Sequence, residues 1–334
     1  MNEALLMRLF KTIEGNGHTP LMKVAYSIIE NEKKKGHQKL ADKLSAILKV
    51  NNERFGYSEN ATLLKPIKEN VLKIPVDRRY RLPLANHIEP EFLRRDMVLA
   101  NSVESKILRI EKEYLARERL LHHGLKPRKK ILLYGSSGCG KSMAAERVAW
   151  DLGLPFYKVR FDTIISSYLG ESASNLQKLF ESVEDYPCVL LLDEFDIIGK
   201  QRDGNSKDVG EIHRIVNILL GLLEEYDGEG ILIATTNLEG SLDNALFRRF
   251  DDFIELPKPS QNEITAILKQ SFSALKLNKT INLEQYSKEL VGMSYAIIVK
   301  IANDAAKKAI INSCKEISIN DLYSALEENK SINR

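Results

Sequence analysis

The run Gly135-Ser136-Ser137-Gly138-Cys139-Gly140-Lys141-Ser142 has the spacing GxxxxGK[ST], and each residue type in it has a physical use. Glycines let successive backbone N–H groups curl around an anion, and a helix that begins at the loop adds its positive end. Lys141 is placed to meet β and γ phosphates, and the Ser142 hydroxyl to bind Mg²⁺. An apolar run, Ile131 to Tyr134, precedes the loop, and a helical pattern follows it to Gly153, ahead of Pro155. Strand, loop and helix in that order are the context such a loop requires. Cys139, near Lys141 at a helix N-terminus, invites a redox reading, but a small residue filling a variable loop position is the simpler account.

A second constellation lies 52 residues past Lys141, where Leu190-Leu191-Leu192 runs into Asp193-Glu194. In a parallel sheet the carboxyl ends of the strands face the ligand, so the two acids take separate roles. Asp193 holds the Mg²⁺ shell through water, and Glu194 polarises the water that attacks the γ phosphate. Alone, a strand ending in two acids is a solvated turn. With a phosphate-binding loop in the same chain it becomes a catalytic pair.

The elements that must position these groups follow from hydrophobic periodicity. Strands are expected at Ile131 to Tyr134, Phe156 to Val159, Val189 to Leu192, Ile231 to Ala234 and Phe253 to Leu256, separated by amphipathic helices. Short continuous apolar strands alternating with helices imply an α/β fold, here a five-stranded parallel sheet with helices on both faces. After Pro257-Lys258-Pro259 the pattern turns helical, over 261–275, 283–290, 294–312 and 320–328, and no further strand is expected. Ahead of the sheet, a charged helix runs from Val103 to about His122, stopped by Gly124 and Pro127. Residues 52–95 hold Pro66, Pro75, Pro83 and Pro90 and read as a linker with room for one strand or hairpin. Residues 1–51 carry three apolar stripes at helical spacing, from Ala4 to Ile13, from Val24 to Ile29 and from Leu40 to Leu48. They form a small bundle, either a partner-recruiting domain or a cap on the next one. The expected division is 1–51, 52–95, 96–257 and 258–334.

Composition narrows the function classes. At 43% hydrophobic and 28% charged, the 334 residues are those of a folded globular chain, which excludes disorder and fibrous or disulfide-bound scaffolds. Lys and Arg total 49 against 46 Asp and Glu, a net charge of +3, too small for a bulk field that attracts nucleic acid or a membrane. The basic stretch from Lys126 to Lys130 is short, abuts a strand, and reads as solvated surface. Cys139, Cys188 and Cys314 are widely spaced and odd in number, which points to a reducing compartment, by default the cytoplasm. No window approaches a membrane span, and no signal segment is read at the start.

Taken together, residues from about 96 to 330 resemble the AAA family of ATPases, within the AAA+ superfamily. The resemblance implies a P-loop AAA+ module with a C-terminal all-α lid and the small N-terminal bundle, acting as an ATPase on ATP and Mg²⁺. The loop and the Asp193-Glu194 strand are then the Walker A and Walker B motifs. Ile231 to Asn237 resembles the sensor-1 strand, with Asn237 positioning the attacking water. Leu242-Asp243-Asn244-Ala245-Leu246, leading to Arg248-Arg249-Phe250-Asp251, resembles the second region of homology. It implies arginine fingers reaching a neighbouring subunit's site. Arg249 aligns best and Arg248 next, while Asp252 stands where the family often has another arginine, leaving the pair of fingers open. Gly292-Met293-Ser294-Tyr295-Ala296 resembles the sensor-2 segment, whose backbone near Ala296 approaches adenine and ribose. Tyr295-Ala296-Ile297 departs from the usual Gly-Ala-Asp. Asp227-Gly228 is similar to the intersubunit signalling element. Tyr168-Leu169-Gly170 resembles pore loop 1 of a hexameric ring, and Gly199 to Gly210 the second pore loop.

Two functions stay open on this reading. One is a ring that pulls, unfolds or remodels a protein substrate. The other is an ATP-gated regulator or scaffold that switches a partner protein. Stand-alone bacterial chains that resemble this one, with a short helical N-domain, are often encoded beside subtilisin-like serine proteases, so the resemblance implies such a protease as a candidate partner. Nucleic-acid loading is disfavoured by the near-neutral charge and the aromatic pore loop.

Overall fold

The computed structural model describes residues 29, 40–45, 72–78, 80–165, 171–195, 209–237, 248–273, 275–278, 281–312 and 316–330. The chain divides into two compact units, Met1–Val71 and Leu72–Arg334. In the first, residues 40–45 are helical with Ala41 and Leu44 buried. The rest of the expected bundle, apart from Ile29, lies outside the described residues, as do Tyr168, Leu169, Gly170, Leu242 to Leu246, Cys314 and most of the segment from Gly199 to Gly210.

The second unit is built on a six-stranded sheet in the order β1–β3–β4–β5–β2–β6. Its strands are β1 (Ala85–Ile88), β2 (Lys130–Tyr134), β3 (Phe156–Val159), β4 (Val189–Leu192), β5 (Ile231–Thr236) and β6 (Asp252–Glu255). The five strands expected from sequence are all present and mutually parallel. β1 adds itself antiparallel to β3 at the edge. It follows a short turn in which the buried Asp77 carboxylate accepts from Tyr80 N and Leu82 N at 2.7 and 2.6 Å, and Val76 bridges Pro83. The polar ANHI of β1 suits an edge with only one neighbour.

Alternate residues of the central strands feed two cores. Leu132, Leu190, Leu192, Leu232 and Ala234 point to one side, under α4 (Phe161–Ile165), α5 (Glu171–Glu184) and α6 (Val209–Glu225). Ile131, Leu133, Val189, Leu191, Ile231 and Ile233 point to the other, under α1 (Asn101–Leu115) and α3 (Lys141–Leu152). Burial on both faces is why these strands read as unbroken apolar runs rather than as alternation. At about 25 cal/mol per Å² of apolar surface, this double-sided burial is the main force holding the strand ends in register.

The charged helix ahead of the sheet is broken. α1 ends at Leu115, and α2 (Arg117–His122) starts after Ala116. Arg117 donates from Nη1 to the Tyr114 carbonyl at 3.2 Å and lies over the Tyr114 ring, bracing the chain across the break. The C-terminal part forms its own core from α7 (Gln261–Ser271), α8 (Leu283–Glu289), α9 (Tyr295–Ile311) and α10 (Ile319–Lys330). Asn282 caps α8 by accepting from Glu284 N and Gln285 N at 3.0 and 3.2 Å. The expectation of no further strand needs correction, because β7 (Lys276–Leu277) and β8 (Glu316–Ile317) form a parallel two-residue pair. Two residues are too few to show any period.

Candidate functional site

All site strands end on the same side. β2 runs into the glycine loop, β4 into Asp193-Glu194, and β5, hydrogen-bonded between them, into Thr235, Thr236 and Asn237. Gly135 leaves β2 at φ +135°, where a Cβ would sit 2.4 Å from the Leu256 carbonyl oxygen, so only glycine fits. The loop then wraps onto the N-terminus of α3. Lys141, 8% exposed, folds back over it and donates from Nζ to the carbonyls of Gly135 at 2.7 Å and Ser136 at 2.9 Å, and to Asn237 Oδ1 at 2.8 Å.

Beside it, Asp193 Oδ1 accepts from Ser142 Oγ at 2.7 Å and from Thr235 Oγ1 at 2.6 Å, while Oδ2 accepts from Lys158 Nζ at 2.5 Å. Burial opposes ionisation of Asp193. The bonds from Lys158, Thr235 and Ser142 outweigh it and hold the carboxyl below the usual carboxylate range. Thr235 Oγ1 also accepts from Glu194 N at 3.0 Å, and Phe195 N donates to the Thr235 carbonyl at 2.8 Å. Between these ties Glu194 adopts φ +53°, a left-handed conformation costing of order 1–2 kcal/mol for a side chain with a Cβ, and its carboxylate stays exposed. The donor set of one hydroxyl and one carboxylate suits a hard divalent cation that keeps most of its waters.

The helical C-terminal part reaches this site through Ala296, whose N–H donates to the Gly138 carbonyl at 3.1 Å. A Cβ on Gly138 would lie 2.8 Å from Ser294 Oγ. Another strap comes from the segment before α1. Arg94 binds the buried Glu146 of α3 through its backbone N–H at 2.8 Å and through its guanidinium, and the Met97 methyl approaches Gly140. Arg95 stacks over Trp150 at 3.9 Å.

Thus Lys141, Ser142, Asp193 and Asn237 meet directly, Glu194 joins them through Thr235, and Ala296 through Gly138. The two arginines sit elsewhere. Arg248 is exposed, and Arg249 donates from Nε to the Leu220 carbonyl at 3.1 Å and pairs with Glu224 at 3.3 Å, both on α6. Asp252 faces inward, paired with Arg109 and lying 3.6 Å from Arg128 Nε, which also pairs with Glu113, so the acid there is engaged within its own chain. Asp227 is tied to Lys129 at 3.2 Å. Sequence reasoning missed Lys158 and Thr235 as members of the site. A lysine inside the apolar run Phe156-Tyr157-Lys158-Val159 was the available signal for the first.

Residues 131–258 match the family described as "ATPase family associated with various cellular activities (AAA)". Over 305 residues, 91% of this chain and 89% of the relative, the sequence is 37% identical to an uncharacterized AAA family ATPase, y4kL, of Sinorhizobium fredii. It is 32% identical over 253 residues to the ATP-dependent zinc metalloprotease FtsH of Helicobacter pylori, covering 73% of this chain and 40% of that one. With the FtsH of a Sulfurovum species it shares 35% over 218 residues, 63% of this chain and 32% of the other. The chain therefore spans well under half the length of these FtsH relatives. Among the described residues no helix is long and apolar enough to cross a membrane.

Proposed function

The chain belongs to the AAA family of ATPases, and from that premise we propose that it is a ring-forming, Mg²⁺-dependent ATPase that remodels, unfolds or translocates a protein substrate. The observation that carries the reading is the joining of Lys141 to Asn237 and of Ser142 to Asp193, with Thr235 between the two acids. ATP binding and hydrolysis come with the family. Ser142 and Asp193 are the residues that would hold Mg²⁺, which when bound supplies charge that neutralises the β and γ phosphates. Lys141 releases its loop carbonyls and turns to the phosphates. Glu194, held clear of the strand by Thr235, takes a proton from the attacking water, and Asn237 orients that water. Backbone near Ala296 closes over the base, coupling the lid to the loop through Gly138.

In this reading Arg249 and Arg248 act in the site of a neighbouring copy, and Tyr168, Leu169 and Gly170 line the channel of a hexamer in the cytoplasm. A protein named FtsH among the relatives, similar over part of its length, supports work on proteins. The test measures particle mass by light scattering with ATP on the Glu194→Gln chain, and ATP-dependent unfolding of a tagged protein by the parent chain. A hexamer that unfolds its substrate is expected. A chain that stays monomeric with ATP bound overturns the ring. A ring that activates a partner, such as a subtilisin-like protease, without unfolding anything establishes the ATP-gated regulator instead.

A further inference from the structure

Lys158 contacts Asp193 but belongs to none of the motifs by which the site is read. It projects from β3, the strand next to β4, and its Nζ lies 2.5 Å from Asp193 Oδ2. The other oxygen, Oδ1, is taken by the hydroxyls of Ser142 and Thr235. Oδ1 can keep both bonds when the cation binds, because Ser142 Oγ can lend a lone pair to a metal while its proton still points at the carboxylate. Oδ2 is the oxygen left to receive the cation's water shell, and the chain's own ammonium occupies it.

We propose that Lys158 is a positioning residue that stands in for the divalent cation at Asp193 before nucleotide arrives, and so sets the Mg²⁺ concentration at which the site fills. The inference rests on the nucleotide-site reading above. A carboxylate at 12% exposure keeps its charge only with a counter-charge, and Lys158 supplies it while aligning Asp193 toward Ser142. An ammonium and a divalent cation repel each other at one carboxylate. Lys158 therefore yields Oδ2 as the cation enters, which its side chain, 44% exposed on a flexible four-carbon stem, can do by swinging into water. The same lysine opposes Mg²⁺ at Asp193 without nucleotide, when no phosphate charge is present to help the cation displace it.

The experiment titrates Mg²⁺ against binding of a fluorescent ATP and a fluorescent ADP, in the Glu194→Gln chain so that nothing is hydrolysed. Lys158→Met should lower the half-saturating Mg²⁺ by about tenfold for both nucleotides, the scale expected when one like charge is removed beside an ionic site. Lys158→Arg, which keeps the charge, should remain near the parent. Lys158→Gln guards against a misfolded Met variant, and melting of each chain without nucleotide checks folding. An unchanged Mg²⁺ dependence in folded Met and Gln variants overturns the proposal. So does a loss of ATP binding relative to ADP at unchanged Mg²⁺ dependence, which would make Lys158 a γ-phosphate contact. Failure of the nucleotide reading itself would appear separately, as binding that survives Lys141→Ala.

Discussion

Lys141 Nζ donates to Asn237 Oδ1 at 2.8 Å, joining the residue that begins α3 to one 96 positions later at the end of β5. The bond exists because β5 lies between β2 and β4, so the tip of the middle strand reaches the loop on one side and Asp193 on the other. In the proposed mechanism, a change at the phosphates that draws Lys141 away also breaks this bond to Asn237.

Substitutions at the two ends of that bond should therefore separate binding from turnover. Lys141→Ala is expected to abolish ATP binding. Asn237→Ala and Glu194→Gln are expected to keep it and to lower hydrolysis by about 100-fold or more. Binding by equilibrium fluorescence and steady-state phosphate release check this. Full turnover in Glu194→Gln would remove that residue from the assigned role.

Gly138 carries the contact between loop and lid, and its φ of +75° already disfavours a side chain. In Gly138→Ala the new methyl would meet Ser294 Oγ at 2.8 Å and Ala296 Cβ at 3.1 Å. The variant should lose about 1–2 kcal/mol of stability from the backbone conformation, and its ATP affinity should fall as the start of α9 is pushed off the loop. Adding Ser294→Gly should restore part of the affinity but not the backbone term. A double-mutant cycle on both quantities reads the difference.

The sheet was legible because burial on both faces writes itself into sequence as apolar runs. β3 and β4 begin and end where the runs Phe156 to Val159 and Val189 to Leu192 do. β1 was legible only as a strand or hairpin somewhere between prolines, since an edge strand with polar residues has no such run. The side chains that the structure brings together were legible where a motif fixed their spacing, at Lys141-Ser142 and at Asp193-Glu194. Lys158 and Thr235 were not, because their part depends on β3 and β5 flanking β4, and adjacency in a sheet is not encoded in local spacing. The ion cluster of Arg109, Arg128 and Asp252 was hidden for the same reason.

Stability should fall with rising pH on account of Glu111. Burial, then the neighbouring Asp151, push its carboxyl up to about 8, with Arg147 opposing and Glu104 adding to the shift, and Oε1 has no hydrogen-bond partner. The folded state thus keeps a proton that the unfolded chain has lost. The contribution is complete below the unfolded value near 4.5, declines by up to about 1.4 kcal/mol per pH unit above it, and is gone past about 8. Glu111→Gln, neutral at every pH, should flatten that slope. Chemical denaturation from pH 5 to 9 measures it, and equal slopes in the two chains would assign the effect elsewhere.

If Arg249 acts across a subunit boundary, its tie to the exposed Glu224 is a resting position, worth little by itself. Arg249→Ala should then lower ATPase activity about 1,000-fold or more while leaving nucleotide binding intact. Mixing Arg249→Ala with Lys141→Ala should recover part of the activity, because each chain supplies what its neighbour lacks. No recovery across a range of mixing ratios in co-assembled rings would place the arginine's action within its own subunit.

Tyr168 separates threading from switching, and it enters through its sequence setting, Tyr168-Leu169-Gly170, next to the start of α5 at Glu171. It is none of the residues assigned to phosphate, cation or attacking water, so Tyr168→Ala should leave basal ATP hydrolysis within about twofold of the parent. A ring that pulls polypeptide needs a rigid aromatic surface to grip side chains of any sequence, and the variant should lose both unfolding and the stimulation of ATPase by substrate. A regulator that merely changes shape with ATP needs Lys141 but not this ring, because its output is a difference in partner affinity between two nucleotide states. Measuring unfolding of a tagged protein and activation of a partner side by side, with ATPase rates recorded for both variants, decides the matter. Partner activation that survives Tyr168→Ala and disappears in Lys141→Ala assigns the output to switching, whereas loss in both assigns it to threading.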